Sequence, residues 1–283
     1  MTETSHGSWE EAVRWLREQP ERADLVRDAY YDDPLIEAAD RYRRSNEWEA
    51  VRAIIGTGPG EALDAGAGRG IASYALAKDG FSVTALEPDP SELVGGGAIR
   101  GLARDAALTI RVEERLSEQL PFAEATFDVI FARAVLHHIS DLPAAMREFH
   151  RVLRPGGIFV ATREHVVTTA ADLPAFFDGH ALHHRYGGEN AHPLEIYQNA
   201  IRESGLMLER TIGSLDNPIN YGPQSTAEIH RRIAGQLVPI PMLRPLATAL
   251  LDLPGVGSTV RRLASRIDRR PGRHVSFVAR KPK

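Results

Sequence analysis

Residues 61–78 constrain what this chain can fold into more than any other stretch. A short apolar run from Ala62 to Ala65 enters glycines at alternate positions, Gly66, Gly68 and Gly70. Ile71, Tyr74, Ala75 and Lys78 follow at helical spacing, and Gly80 stands where a helix-ending glycine belongs. The pattern predicts a strand, a tight turn and a helix N-terminus. Glycine adopts positive φ there at little cost and leaves room for a ligand where a Cβ would stand. The unpaired N–H groups of the first helical turn favour an anion such as a phosphate or carboxylate.

The surrounding residues narrow the ligand. The dinucleotide fingerprint G-x-G-x-x-G/A would put its third small residue at Ile71, a poor fit. The chain reads D-x-G-x-G-x-G instead, with Asp64 ahead of the first glycine. Phe81 to Leu86 makes a second apolar strand that ends in Glu87. A carboxylate at that strand tip can accept both hydroxyls of a ribose.

Together these residues resemble the class I S-adenosylmethionine-dependent methyltransferases, of the ubiquinone-biosynthesis-like type that acts on small molecules. The resemblance covers residues 60–164. It implies S-adenosylmethionine as cofactor, with its amino-acid end held by Asp64, Gly66, Ala67, Gly68 and Gly70. The ribose would lie on Glu87 beside Pro88. The family usually sets an aspartate against the adenine amino group two residues before the position of Glu118. Leu116 stands there, so the contact is expected from Ser117 and Glu118 or from backbone groups. Arg133 opens the loop 133–139, which in this family flanks the transferring methyl, and is expected at the cofactor. Within that loop the resemblance makes His137 and His138, with Glu164 after the fifth strand, the candidate catalytic base. A purely loop-organising role for one histidine stays open.

Strands and helices alternate through the middle of the chain, which implies a parallel sheet covered on both faces. Further strands are predicted at 108–112, 126–132 and 158–161, with Asp141 capping a helix that Pro155, Gly156 and Gly157 stop. A helix entered at Asp89 meets Gly95, Gly96 and Gly97, so a break is expected there. The fold class is therefore α/β: a Rossmann-like, mostly parallel sheet with a closing antiparallel pair at 206–212 and 273–280. Residues 1–58 form an N-terminal cover of two or three helices, and 59–164 the cofactor-binding core. Residues 165–213 supply an acceptor-site connection, a helix and a strand. Residues 214–272 are a helical insertion read as a lid, and 273–283 the closing strand.

The second half carries two unusual features. His180, His183 and His184 are followed by Glu189 and His192, and three imidazoles with a carboxylate can ligate zinc or iron. Their spacing matches no standard metal motif, so substrate contacts are expected and no metal. In the insertion, Leu243, Leu246, Leu250 and Leu251 precede Arg261, Arg262, Arg266, Arg269 and Arg270. That pairing suits an acceptor with a greasy body and an anionic head, or a lid that packs its leucines down and shows its arginines to water.

Composition removes several classes. A net charge of −4 argues against wholesale nucleic-acid binding. Without cysteine there is neither a disulfide framework nor a Cys-ligated metal. No apolar run approaches the roughly 20 residues of a membrane span, and the polar N-terminus is unlike a signal peptide. The expectation is a cytoplasmic enzyme that methylates a small molecule, at hydroxyl oxygen before nitrogen or carbon; oligomeric state is not legible. A cofactor-binding protein without transfer, or an enzyme spending the same cofactor on a non-methyl reaction, are the alternatives, since function resides in the site and not the fold.

Overall fold

In a computed structural model, whose described residues are 7–283, the glycine stretch folds as the sequence predicts. Strand β1 is Glu61–Ala65, and a helix follows at Ile71–Lys78 with Gly80 in the left-handed region at φ 95°. The remaining strands are β2 (Ser82–Leu86), β3 (Ile110–Glu113), β4 (Phe127–Arg133), β5 (Leu153–Val167), β6 (His192–Pro193), β7 (Met207–Ile212) and β8 (Arg273–Arg280). They form one sheet in the order β3-β2-β1-β4-β5-β8-β7, with β6 beside the end of β5. Pairing is parallel from β3 through β5 and antiparallel for β5 with β8 and β8 with β7. Both faces are covered. Leu63, Phe127, Met146, Phe149, Phe159, Tyr197 and Phe277 pack on one side, and Tyr42, Trp48, Tyr74, Leu76 and Phe131 on the other.

Four segments differ from the sequence expectation. The N-terminal cover holds four helices, Trp9–Arg17, Ala23–Asp28, Leu35–Arg43 and Asn46–Ile55; its residues 1–6 lie outside the described ones. Leu35–Arg43 was not predicted because its buried face is Ala38, Ala39 and Tyr42, a weak hydrophobic signal. The Gly95–Gly97 run does not interrupt a helix. Asp89 caps only a turn, accepting the Ser91 N–H at 2.8 Å, and the helix starts at the glycines, as Gly96–Asp105. A Cβ on Gly95 would stand 2.0 Å from the Asp89 carbonyl, and one on Gly97 2.6 Å from Glu92. The glycines thus allow the turn to press against the helix start.

Strand β5 is far longer than predicted and runs through Glu164 and His165. Its register with β8 shifts between Ala161 and Glu164, where Arg163 takes φ 59°. A bulge of this kind re-aims side chains at a sheet edge. The connection after β5 is partly helical, at Leu173–Gly179 and His183–Tyr186.

The insertion forms helices at Pro218–Tyr221, Thr226–Leu237, Arg244–Leu251 and Val256–Ile267. They enclose a small core of Leu215, Tyr221, Ile229, Ile233, Ala234 and Leu251. Leu243, Leu246 and Leu250 face water, as do Leu263 and Ile267. Of the four leucines marked in the sequence, only Leu251 packs down. No described helix is long and apolar enough to cross a membrane.

Candidate active site

The chain runs outward to both sides of β1, to β2 on one side and β4 on the other, so a crevice opens at the carboxyl ends of these strands. The glycine turn forms its floor. Gly66 and Ala67 both donate N–H to the Leu86 carbonyl, at 2.8 and 3.0 Å. A Cβ on Gly66 (φ 65°) would lie 2.6 Å from Val135, so only glycine lets the turn meet the loop after β4. A Cβ on Gly68 (φ 53°) would meet nothing within 4 Å, which leaves open space along the backbone.

Two buried carboxylates flank this turn. Glu87 accepts the Gly68 N–H at 2.7 Å through Oε2 and the Asp89 N–H at 3.0 Å through Oε1, and each oxygen retains acceptor capacity. Burial raises its pKa against those two bonds. Asp64 is 1 % exposed and accepts the Ser73 hydroxyl at 2.6 Å. Burial pushes its pKa up to about 7. A cation delivered to Asp64 would offset that penalty.

Arg69, which the sequence did not single out, ties the N-terminal cover to the glycine turn. Its buried guanidinium donates to the Tyr30 and Asp32 carbonyls at 3.0 Å each and to Asp33 at 2.5 Å. The only local signal is a cation inside a glycine run. Tyr30 itself packs edge-on to Tyr42 at 5.2 Å, so it belongs to the core. Arg133 departs from its expected place. Its guanidinium forks onto the buried Glu47 carboxylate at 2.7 and 3.2 Å and lies under Tyr30 and Tyr42, which favours a structural role over a cofactor contact. Ser117 is buried, Glu118 accepts the Asp141 N–H at 3.4 Å, and Leu116 is exposed. Pro88 is exposed beside Glu87.

The other half of the site is brought together by tertiary contacts. Glu164, fully buried beside the β5 bulge, accepts N–H groups from Val135 and His137 at 3.2 Å each and the His137 Nδ1–H at 2.7 Å. Burial pushes its pKa up to about 7 against those bonds. Both of its oxygens are engaged in holding the 135–138 loop, an arrangement that favours a positioning role over the expected service as a base. Burial, with His138 beside it, drives the His137 pKa well down and keeps the ring neutral.

His138 meets the Gly188 carbonyl through Nδ1 at 3.1 Å. A carbonyl only accepts, so Nδ1 carries the proton and Nε2 is left as an acceptor. Its side chain is 38 % exposed. Glu189 lies opposite, with Oε2 3.8 Å from His137 Nε2 and 4.0 Å from His138 Nε2. Burial opposes its ionisation, but His138, His180 and the Tyr186 hydroxyl hold its pKa below the usual range. The clustered histidines of the sequence do not converge on one point. His180 Nε2 sits 3.6 Å from Glu189, His183 stacks on Phe177 at 4.0 Å, His184 is exposed, and His192 packs on Tyr197.

Comparison with known proteins agrees with this geometry. A family model described as a methyltransferase domain matches residues 63–161. A ubiquinone biosynthesis O-methyltransferase of Methylobacterium nodulans is 35% identical over 99 residues, which cover 35% of this chain and 39% of that one. The chain thus spans well under two thirds of the length of this relative. A Galdieria sulphuraria protein described as a sarcosine dimethylglycine methyltransferase superposes with a TM-score of 0.60 at 20% identity, covering 96% of this chain and 98% of the other. A geranyl diphosphate methyltransferase solved with S-adenosylmethionine does so at 0.53 and 16% identity, covering 88% and 91%. These two likenesses concern the fold. Over residues 63–161, the chain is thus similar to S-adenosylmethionine-dependent methyltransferases, as the sequence resemblance implied.

Proposed function

We propose that this protein transfers a methyl group from S-adenosylmethionine to a hydroxyl oxygen of a small molecule. One observation carries the proposal: the glycine turn that gives its Gly68 N–H to Glu87 meets Val135 through Gly66, and the loop that continues from Val135 carries His138 with Nε2 left as an acceptor. When bound, the cofactor supplies a methyl group on positively charged sulfur, with a neutral thioether as leaving group. Asp64 would receive its ammonium and Glu87 its ribose hydroxyls, with Ser117 and Glu118 at the adenine edge. The N-terminal cover, fastened by Arg69, would exclude water and fix the approach of the acceptor.

In this scheme His138 is the base. Its Nε2 would take the acceptor proton while the Gly188 carbonyl holds the tautomer. His137 and Glu164 keep the loop in place. A related O-methyltransferase favours oxygen as the methylated atom. The net charge of −4 favours a dissolved small acceptor over nucleic acid.

Calorimetric titration with S-adenosylhomocysteine tests the cofactor half. Glu87→Ala should weaken binding by about 1.5–3 kcal/mol, the loss of a charge-assisted contact. Unchanged affinity in the variant, or no affinity in the wild type, would sink the assignment. Transfer of labelled methyl to a panel of phenols and carboxylic acids tests the other half, with His138→Gln expected to slow kcat about 10²–10⁴-fold.

A further inference from the structure

Three chain segments distant in sequence meet at one buried point. His137 comes from the loop after β4, His165 from the end of β5, and Glu189 from the connection beyond it. Their ligand-competent atoms all lie within 4.8 Å of one another. Glu189 is 6 % exposed, and its Oε2 has no hydrogen-bond partner. A buried carboxylate oxygen left so is costly, and it is aimed at imidazole nitrogens.

The tautomers strengthen the point. His137 gives its Nδ1–H to Glu164 at 2.7 Å, and His165 gives its own to the Gly272 carbonyl at 3.1 Å. In both rings Nε2 is thereby left with a lone pair. Two such lone pairs facing a carboxylate oxygen make no hydrogen bond among themselves, because none of the three atoms carries a proton. A cation satisfies all three. An imidazole oriented through its far nitrogen by a carboxylate or backbone carbonyl is the usual second layer of a metal site.

We propose that His137, His165 and Glu189 hold one divalent transition-metal ion, with zinc and iron(II) the metals this donor set suits. Two imidazoles and a carboxylate leave coordination positions open. Tetrahedral ligands at the usual zinc distances stand about 3.4 Å apart, so the 3.8 Å between His137 and Glu189 needs little contraction. His180, 3.6 Å from the other oxygen of Glu189, flanks the site. The set is not the run His180, His183 and His184 that the sequence presented, and the expectation of no metal is revised on this geometry.

The metal site stands on these contacts alone; its purpose rests on the methyl-transfer proposal. An acceptor oxygen on the ion would lose its proton more readily, to His138 beside it. The freed lone pair would form the bond to the methyl carbon as the carbon–sulfur bond breaks toward sulfur.

Tag-free protein should carry close to one equivalent of zinc or iron by elemental analysis. Alternatively, chelator-stripped protein should bind one equivalent of zinc from zinc chloride, with a raised Tm. Glu189→Gln, near in shape to the native residue, and His165→Ala should each lower zinc affinity at least 100-fold. Glu164→Gln should lower it about 10–100-fold by releasing His137. His184→Ala, whose side chain is exposed and apart from the cluster, should change nothing. S-adenosylhomocysteine titration of each variant confirms folding and reads the cofactor site separately from the metal. No zinc binding by stripped protein that still binds S-adenosylhomocysteine overturns the metal site alone. Zinc bound equally well by Glu189→Gln and His165→Ala places it elsewhere and overturns the assignment too.

Discussion

Asp64 shows how much one residue can lean on its surroundings. Its carboxyl sits at the end of β1 with the Ser73 hydroxyl as its recorded partner, and burial lifts its pKa to about 7. Between the ordinary carboxylate value near 3.9 and about 7, the folded protein keeps a proton that the unfolded chain releases. Stability from this group therefore falls as pH rises through that window. Asp64→Asn, which keeps an acceptor for Ser73, should flatten that decline in cofactor-free protein, as read by Tm from pH 4 to pH 8. A decline as steep as in the wild type would assign the pH dependence to other groups, Glu164 first among them. The sequence singled out Asp64. It could not mark the 2.6 Å contact or the desolvation, because both depend on what the helix Ile71–Lys78 lays across the strand.

At the scale of elements, the glycine run Gly95–Gly97 separates propensity from packing. Propensity alone counts three glycines as a break. In the fold they are the place where the 89–92 turn closes on the helix Gly96–Asp105. Gly95→Ala should therefore cost about 2–3 kcal/mol or more, since its methyl would collide with the Asp89 carbonyl. Gly101, inside the same helix, has only Arg104 near its would-be Cβ, at 3.8 Å. Gly101→Ala should stabilise by about 0.5–1 kcal/mol. Urea denaturation of both variants checks the pair. Equal effects would mean that helix propensity, and not the close approach, governs this segment.

At the scale of the molecule, the insertion behaves as an appendage with its own core. Its root is fastened to the sheet: Arg163 donates to the Gly222 carbonyl at 2.8 Å, and Asn220 accepts the Ser276 hydroxyl at 2.6 Å. The hydrogen bonds to the Asp64 and Glu87 carboxylates come from Gly68, Ser73 and Asp89, and none from the insertion. Replacing 226–267 with a short Gly-Ser connection should leave S-adenosylhomocysteine affinity within about threefold, a change of about 0.6 kcal/mol. If the insertion closes over the acceptor, as its place in the sequence implied, the same variant should lose methyl transfer. Lost cofactor affinity in a folded variant would make the insertion part of the cofactor site. Full turnover would leave acceptor recognition to His138 and the connection after β5.

The sequence alone determined the strand, glycine turn and helix at 61–78, the alternation that makes a parallel sheet, and the carboxylate at the tip of β2. Each is a local pattern, set by backbone sterics or by hydrophobic period, and needs no knowledge of distant residues. Only the tertiary structure decided which histidines converge. His180, His183 and His184 are neighbours in the chain but take different partners, while His137, His165 and Glu189 meet across three segments. It likewise committed Arg133 to Glu47, made Glu164 a support for His137, set Arg69 over the glycine turn and turned Leu243, Leu246 and Leu250 outward. Ion pairs, tautomers and burial are properties of distances through space, and a bulge in β5 is enough to re-aim the side chains that carry them.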